Sequence, residues 1–503
     1  MRCEQTIRYE EETMELKKSR YAYRLYAVLL LCFSFFTLFP MDAVAITNTN
    51  IMSNEKIVAV YLLLDNSERL QQYVHDLAKV KKTNFNRVIF SFIRPTLTDY
   101  QSGNLADTGI LGYYTDYDGK GAQAFNALKA AISLSKEKKI QTFISVGGWN
   151  YSCNFDVARE NCGSPPARGT FYDWFLDPSD PDKTSQAKTA YGNLVKLAND
   201  LGAEGIDFDY EEVWHADQYA VHWGPSLKGE WSTAIAQNIL KAGGPNYKNL
   251  MNLGTKLGVS YVMPKTVDKL DAILHAIMDN PEAKYLKFTA AVPPVGVIPV
   301  TGFIQKETYP DMNSNGGLWW KGNLKGLWYN LINKDESIIS RFDSLALRTY
   351  NLCSDSPAIC APYPNGPLDL SGQVGAYMNE YVNWLKSNSA SKPCLTIDST
   401  GKVTFLPAKY RINAKMLFGF EVNQPHFPKN VKGQLQLTNQ LVDQILDQRK
   451  EDDGVIIWHM YSKQNKAVPD ATTIKYTMSH SCKVFLSHDN QYDCNADFPS
   501  ALE

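Results

Sequence analysis

The chain is 503 residues long, with 44% hydrophobic and 12% aromatic residues. That is enough for one large domain with insertions, or two domains, built on a substantial core. A net charge of −2 at pH 7 argues against nucleic acid or an acidic membrane surface as the natural partner.

From the start of the chain, Lys17, Lys18, Arg20 and Arg24 precede an apolar run from about Leu25 to Phe39, and Ala43-Val44-Ala45 follows. A basic region, an apolar stretch and a small-x-small site read as an export signal cleaved after Ala45. The run is shorter than the ~20 residues of a membrane-spanning helix, with an uncleaved anchor as the alternative. The charged leader before Met14 is long for a signal, so Met14 is a second candidate start. The expectation is a secreted, extracellular protein with no stable membrane association after cleavage.

Of the nine cysteines, Cys3 and Cys32 leave with the signal and seven remain. In an oxidising compartment close neighbours pair. Cys153–Cys162, Cys353–Cys360 and Cys482–Cys494 are the simplest bridges, with Cys394 left over. These spacings fit no standard zinc pattern, and His215, His459 and the other histidines show no ligand spacing. No metal and no cofactor are expected.

Downstream of the signal, β-branched-rich apolar runs fall at Ile57–Leu64, Arg87–Phe92, Ile140–Val146, Gly205–Glu211, Tyr285–Val292, Ser344–Tyr350, Met416–Glu421 and Gly454–Tyr461. Helical patterns lie between them, among them Ala122–Lys136, Ala187–Leu201, Val267–Met278 and Leu435–Lys450. Eight strands alternating with helices predict a (β/α)8 TIM barrel. A doubly wound open sheet shares the alternation, but no Gly-x-Gly-x-x-Gly fingerprint or P-loop is present.

The excess over the ~250 residues of a typical barrel falls in extended loops after strands four, five and six: Glu212–Lys284, Pro293–Asp343 and Asn351–Lys415. The last holds a helical pattern near Val374–Leu385 and a candidate hairpin, Leu395–Leu406, turning at Asp398–Gly401. The barrel domain is assigned to residues 46–480. The polar tail from Ser481, residues 481–503, is a short stapled extension.

The fourth strand carries the chemistry. In Glu204–Glu212, apolar Ile206, Phe208 and Tyr210 alternate with Asp207, Asp209 and Glu211. Period two puts the three carboxylates in one row on one face. On a free hairpin such a row is simply a wet face. Here it follows a crossover helix, so it belongs to a covered parallel sheet, where carboxylates are costly unless bonded, paired or functional.

Glu204-Gly-Ile-Asp-Phe-Asp-Tyr-Glu211 resembles the Asp-x-x-Asp-x-Asp-x-Glu signature of family 18 glycoside hydrolases, the chitinase family, with Glu204 in place of the first aspartate. Ser145-Val-Gly-Gly-Trp149, at the end of the third strand, resembles the family's Ser-x-Gly-Gly motif. Arg348-Thr-Tyr350-Asn351 stands where the family commonly carries Met-x-Tyr-Asp. Trp458, on the eighth strand, matches the tryptophan under the reacting sugar. The likeness runs from about residue 55 to 465.

The resemblance implies Glu211, Asp209, Asp207 and Tyr350 as catalytic residues, and Trp458, Ser145, Trp149, Asn351 and Glu421 as substrate-binding residues. Glu211 is the general acid, then the base. Asp209 orients the substrate's N-acetyl group, Asp207 buffers Asp209, and Tyr350 holds the N-acetyl carbonyl. Ser145 is expected to donate a hydrogen bond to Asp207. Family 18 is among the exceptions to the two-carboxylate scheme, since its substrate assists.

The implied partner is chitin or a chitooligosaccharide. Alternatives on the same residues are an endo-β-N-acetylglucosaminidase acting on glycoprotein glycans and a chitin-binding lectin on an inactive barrel. A carboxylate metal site is a third alternative, disfavoured because one flat row lacks the several directions such sites draw on. The interval Glu421–Gly454 is too short for a tunnel-walling domain, and Trp214, Trp223, Trp319 and Trp320 lie in the long loops. The short interval favours an open groove and mid-chain cleavage, and the tryptophans are either stacking platforms along it or core residues that anchor the loops.

Overall fold

The apolar runs become strands, and eight of them close on themselves. A computed structural model of the chain describes residues 55–113, 119–148, 151, 181–210, 264–292, 331, 335–350, 393–397, 403–407, 413–422, 437–462 and 471–500. Its strands are β1 (Ile57–Leu63), β2 (Arg87–Ile93), β3 (Gln141–Gly147), β4 (Gly205–Asp209), β5 (Lys287–Val292), β6 (Phe342–Leu347), β7 (Pro393–Ile397), β8 (Val403–Pro407), β9 (Lys415–Glu421) and β10 (Gly454–Trp458). Strands β1-β10-β9-β6-β5-β4-β3-β2 form a closed barrel, and β7 and β8 form a separate two-stranded sheet. Each barrel pair is parallel, and the seam is Ile57 against Gly454. The expected TIM barrel is therefore present. The expected hairpin is β7–β8, antiparallel, with Ile397 opposite Val403.

Alternation along each strand sorts side chains between two cores. Ile57, Ala59 and Tyr61 of β1 point into the bore with Ile89, Phe143, Ala346, Leu417 and Ile456. Their neighbours, such as Val58, Val60, Val88, Phe90 and Ile206, pack outward under the helices. Both faces are covered, so the strands read as near-continuous apolar runs. Each such side chain contributes on the order of 1.5–3 kcal/mol by leaving water. A lysine at Phe143 would break the inner core, because it would put a second cation beside the buried Arg87 guanidinium.

The helices are α1 (Ser67–Lys79), α2 (Gly121–Glu137), α3 (Pro181–Leu201), α4 (Pro264–Met278), the single turn α5 (Glu336–Ile339), α6 (Asn439–Arg449) and α7 (Ile474–Phe485). Local chemistry fixes several starts. The Asn66 side chain accepts from the N–H groups of Glu68 and Arg69, Thr438 from Leu441, and Thr473 from Tyr476. Each satisfies donors that a helix N-terminus leaves open.

The N-terminal end of the bore is closed by Arg87. Its guanidinium donates to Gln141 Oε1 (2.6 and 3.0 Å), to Ser344 Oγ (2.7 Å) and to Asp343 Oδ2 (2.6 Å). It also lies 4.6 Å above the Phe143 ring. Burial alone would raise the Asp343 carboxyl, but Arg87, with Lys287 and Lys415, outweighs it and holds the group below its ordinary value. This end is a plug, which leaves the opposite end for chemistry.

The proposed boundary at Ser481 falls inside α7. Cys482 is bonded to Cys494, so the third expected bridge is present. Cys153, Cys162, Cys353 and Cys360 lie outside the described residues. Beyond the bridge, Phe498 is buried against Phe85 and Tyr73. Asp76 of α1 accepts from Tyr461 Oη (2.9 Å) and from the Ser500 N–H (2.8 Å) and hydroxyl (2.7 Å). Residues 482–500 are thus integrated with the barrel wall.

Candidate functional site

Strand register brings the site together. Ser145 of β3 is level with Asp207 of β4, and Gly147 with Asp209. Asp207 is fully buried and sits in a ring of hydroxyls from three strands. Ser145 Oγ donates to its Oδ2 at 2.7 Å, Tyr61 Oη to Oδ2 at 2.9 Å, and Thr289 Oγ1 to Oδ1 at 2.6 Å. Burial nevertheless prevails and raises its pKa, against the three hydrogen bonds and the more distant Arg87, all of which lower it. The Tyr61 phenol is pushed well above its ordinary value by burial, and then by the charges of Asp207 and Asp209 and by Tyr350. At neutral pH it is a donor.

Asp209 closes β4 at the C-terminal mouth, 5% exposed. Its charge partner comes from beyond β6: Arg348 Nη1 lies 3.3 Å from Asp209 Oδ1. Strand β6 ends at Leu347, so Tyr350 stands three residues past it, and not within it. Thr349 pins that segment by donating its hydroxyl to the Gly419 carbonyl. The Tyr350 ring lies beside Gly419, where a Cβ would come within 3.2 Å of Cε1.

An aromatic surface lines the same mouth. Trp458, partly buried at the end of β10, stacks with Phe92 (centroids 5.6 Å, 26°) and meets Tyr61 edge-on (5.3 Å, 65°). Phe92 occupies a register shift between Ser91 and Ile93, and such irregularities re-aim a side chain. Glu421 of β9 is level with Trp458 and buried. Gly148 has φ +74°, and a Cβ there would meet the Phe92 ring at 2.7 Å. Its N–H donates to the Asp209 carbonyl at 2.8 Å. The Gly-Gly pair thus permits the close approach of β3's end to both β4 and the aromatic surface.

Of the residues expected from sequence, the structure brings Asp207, Asp209, Ser145, Tyr350, Trp458 and Glu421 to one end of the barrel. Glu211, Trp149 and Asn351 lie outside the described residues, as do Trp214, Trp223, Trp319, Trp320, the Val374–Leu385 pattern and the N-terminal segment. Sequence reasoning missed Tyr61, Thr289 and Phe92, and it gave Arg348 no role. One signal was legible for Tyr61: it is the polar-tipped member of the inward set Ile57, Ala59, Tyr61. Thr289 gave none, because a threonine in a strand is ordinary.

A second cluster lies outside the mouth. His275 of α4 has one ring nitrogen 2.7 Å from Asp279 and the other 2.8 Å from Asp335, the N-cap of α5. Partial burial lowers its pKa, but the two carboxylates outweigh it and the net shift is upward. Asp271, His275 and Asp335 have ligand atoms within 4.8 Å of one another, a grouping the linear spacing did not disclose. With both nitrogens bonded to carboxylates, His275 acts as an ionic staple between α4 and α5. Among the described residues, no helix is long and apolar enough to cross a membrane.

No family model matches the chain. Chitinases of glycoside hydrolase family 18 are among the solved structures similar to it. One, from Chromobacterium violaceum, is 12% identical, with 86% of this chain and 84% of that one covered and a TM-score of 0.41. An endo-β-1,4-mannanase from Thermotoga petrophila is 11% identical, covering 87% and 78%, with a TM-score of 0.45. A xylanase and α-amylase inhibitor protein from Scadoxus multiflorus is 15% identical, covering 80% and 93%, with a TM-score of 0.31. Proteins as different as these share this degree of likeness, and it assigns no activity to the chain.

Proposed function

We propose that the chain is a secreted glycoside hydrolase that cleaves β-1,4-linked N-acetylglucosamine polymers with retention of configuration. The observation that supports this reading best is the pairing of two unlike carboxylates at the barrel mouth. Asp207 is enclosed by three hydroxyls, while Asp209, nearer the opening, carries a cation. Both belong to one face of one strand, which supports a scheme other than the two-carboxylate one, where the groups flank the sugar ring.

In this proposal the substrate supplies the nucleophile. The N-acetyl carbonyl oxygen attacks the anomeric carbon while the bond to the leaving oxygen breaks, and Glu211 gives that oxygen its proton. Asp209 accepts a hydrogen bond from the N-acetyl N–H and faces the positive oxazolinium ion. Tyr350 donates to the carbonyl oxygen as it is drawn toward the ring. Water then attacks the anomeric carbon as its bond to the acetyl oxygen breaks, which restores the N-acetyl group, and the water yields a proton to Glu211. Trp458 offers its face to the sugar, the usual way apolar ring faces are held. The interval Glu421–Gly454 is too short for a tunnel-walling domain, which supports an open groove and cleavage within chains.

The test is turnover of N-acetylglucosamine oligomers and soluble chitosan by the wild type and by Glu211→Gln, which keeps shape but has no transferable proton. The expected loss is at least ~10²–10⁴-fold, with oligosaccharide binding retained and an early fall in viscosity for the wild type. Near-normal turnover in the variant would sink the acid assignment. Binding without wild-type turnover would favour a lectin, and cleavage confined to glycoprotein glycans would favour the endoglycosidase.

A further inference from the structure

Arg348 stands where the resemblance implies methionine. It directly follows β6, its own N–H donates to the Val292 carbonyl of β5 at 3.0 Å, and its Nη1 reaches Asp209 Oδ1 at 3.3 Å. The two side chains are 21% and 7% exposed. Being partly withdrawn from water, the pair is screened less than a surface pair would be.

We propose that Arg348 is a positioning residue for the reaction, fixing Asp209 in both orientation and charge at the barrel mouth. This rests on the hydrolytic reading above and adds a part that the motif comparison does not contain. Asp207 and Asp209 share one face of one strand, and the three hydroxyls of Tyr61, Ser145 and Thr289 all donate to Asp207. Among the described residues, Asp207 on its own strand, Tyr61 from β1 and Arg348 from beyond β6 face Asp209. From strand β3, Gly147 lies level with it and the Gly148 N–H meets its carbonyl. Arg348 is the cation among them.

Methionine at this position would leave the neighbouring carboxylates without that counter-charge, and like charges favour protonation of one of them. A protonated Asp209 could neither accept the N-acetyl N–H bond as an anion nor oppose a positive ring. The guanidinium also has an opposing influence, since it tempers the negative field felt by the sugar cation. The two effects predict opposite changes on its removal, so the experiment separates them.

The experiment compares wild type, R348M and R348K on N-acetylglucosamine oligomers, with thermal unfolding of the same proteins and of D209N and R348M/D209N. For R348M the acid limb of the rate profile should move up by about one pH unit or more. Its kcat at neutral pH should fall roughly ten- to hundredfold, as for a misplaced catalytic group, with KM little changed. R348K should restore the acid limb but not the full kcat, because it keeps charge and loses the planar fork. The Tm change caused by R348M should shrink in the D209N background. A faster R348M, an unmoved acid limb with normal kcat, or an effect on KM alone would overturn the inference. Wild type without turnover would remove the hydrolytic reading and this role together, whereas active wild type with an unaltered R348M removes only this role.

Discussion

Asp207 shows how much one position can carry. Its carboxylate is satisfied by three hydroxyl donors yet its pKa is raised, burial being the larger influence. A carboxyl whose folded pKa exceeds its unfolded ~3.9 binds its proton more tightly when folded. Its contribution to stability is therefore fully present at low pH and is lost as pH rises from the unfolded value through the folded one. Asp207→Asn removes that dependence, since an amide does not ionise. The Tm of the variant relative to wild type should rise as pH is raised above the unfolded value of ~3.9. A difference that stays flat, or falls, would mean that the hydroxyl ring stabilises the anion more than burial destabilises it.

At the scale of elements, the joint between β3 and the aromatic surface is the constrained one. Gly148 and Gly202 have nearly the same backbone, φ +74° and +76°, yet different surroundings. A Cβ at Gly202, just past α3, meets nothing within 4 Å, whereas one at Gly148 meets the Phe92 ring at 2.7–2.8 Å. Gly202→Ala should cost only the left-handed penalty of about 1–2 kcal/mol. Gly148→Ala adds overpacking of about 1–3 kcal/mol and pushes Phe92 away from Trp458. Urea unfolding of both variants checks the difference, and weakened oligosaccharide binding by Gly148→Ala alone checks its link to the site. Equal destabilisation would show that the ring moves aside freely. The face of β4 was legible from local sequence, because alternation is local, whereas helix starts were not: the patterns beginning at Ala187, Val267 and Leu435 miss the starts of α3 at Pro181, α4 at Pro264 and α6 at Asn439. Nor was the end of β6, since strands stop where neighbours stop pairing, and this left Tyr350 on a loop.

The described residues from 55 onward form a barrel plugged at one end by Arg87, with the candidate site at the other and residues 482–500 in its wall. Three fastenings hold the C-terminal stretch: the Cys482–Cys494 bridge, Phe498 between Phe85 and Tyr73, and Ser500 on Asp76. A bridge closing a loop of 12 residues limits the unfolded chain by about 3 kcal/mol in the chain-entropy account. Replacing both cysteines by serine should lower stability by that order in denaturant titrations while kcat is kept, because none of the three fastenings touches the barrel mouth. A loss below about 0.5 kcal/mol would mean that packing and hydrogen bonds already hold the stretch without the bridge.

By itself the sequence determined the alternation of strands and helices, the inward aspartates of β4, the hairpin and the Cys482–Cys494 pair. Each of these is a matter of residues a few positions apart, where period, turn chemistry and spacing act directly. What only the tertiary structure decided is which side chains meet across the closed barrel. Tyr61, Thr289 and Arg348 reach the two aspartates from 146, 82 and 139 residues away, and His275 finds Asp335 across 60. No local pattern encodes such meetings. They follow from the register in which eight strands close, and that is a property of the whole core.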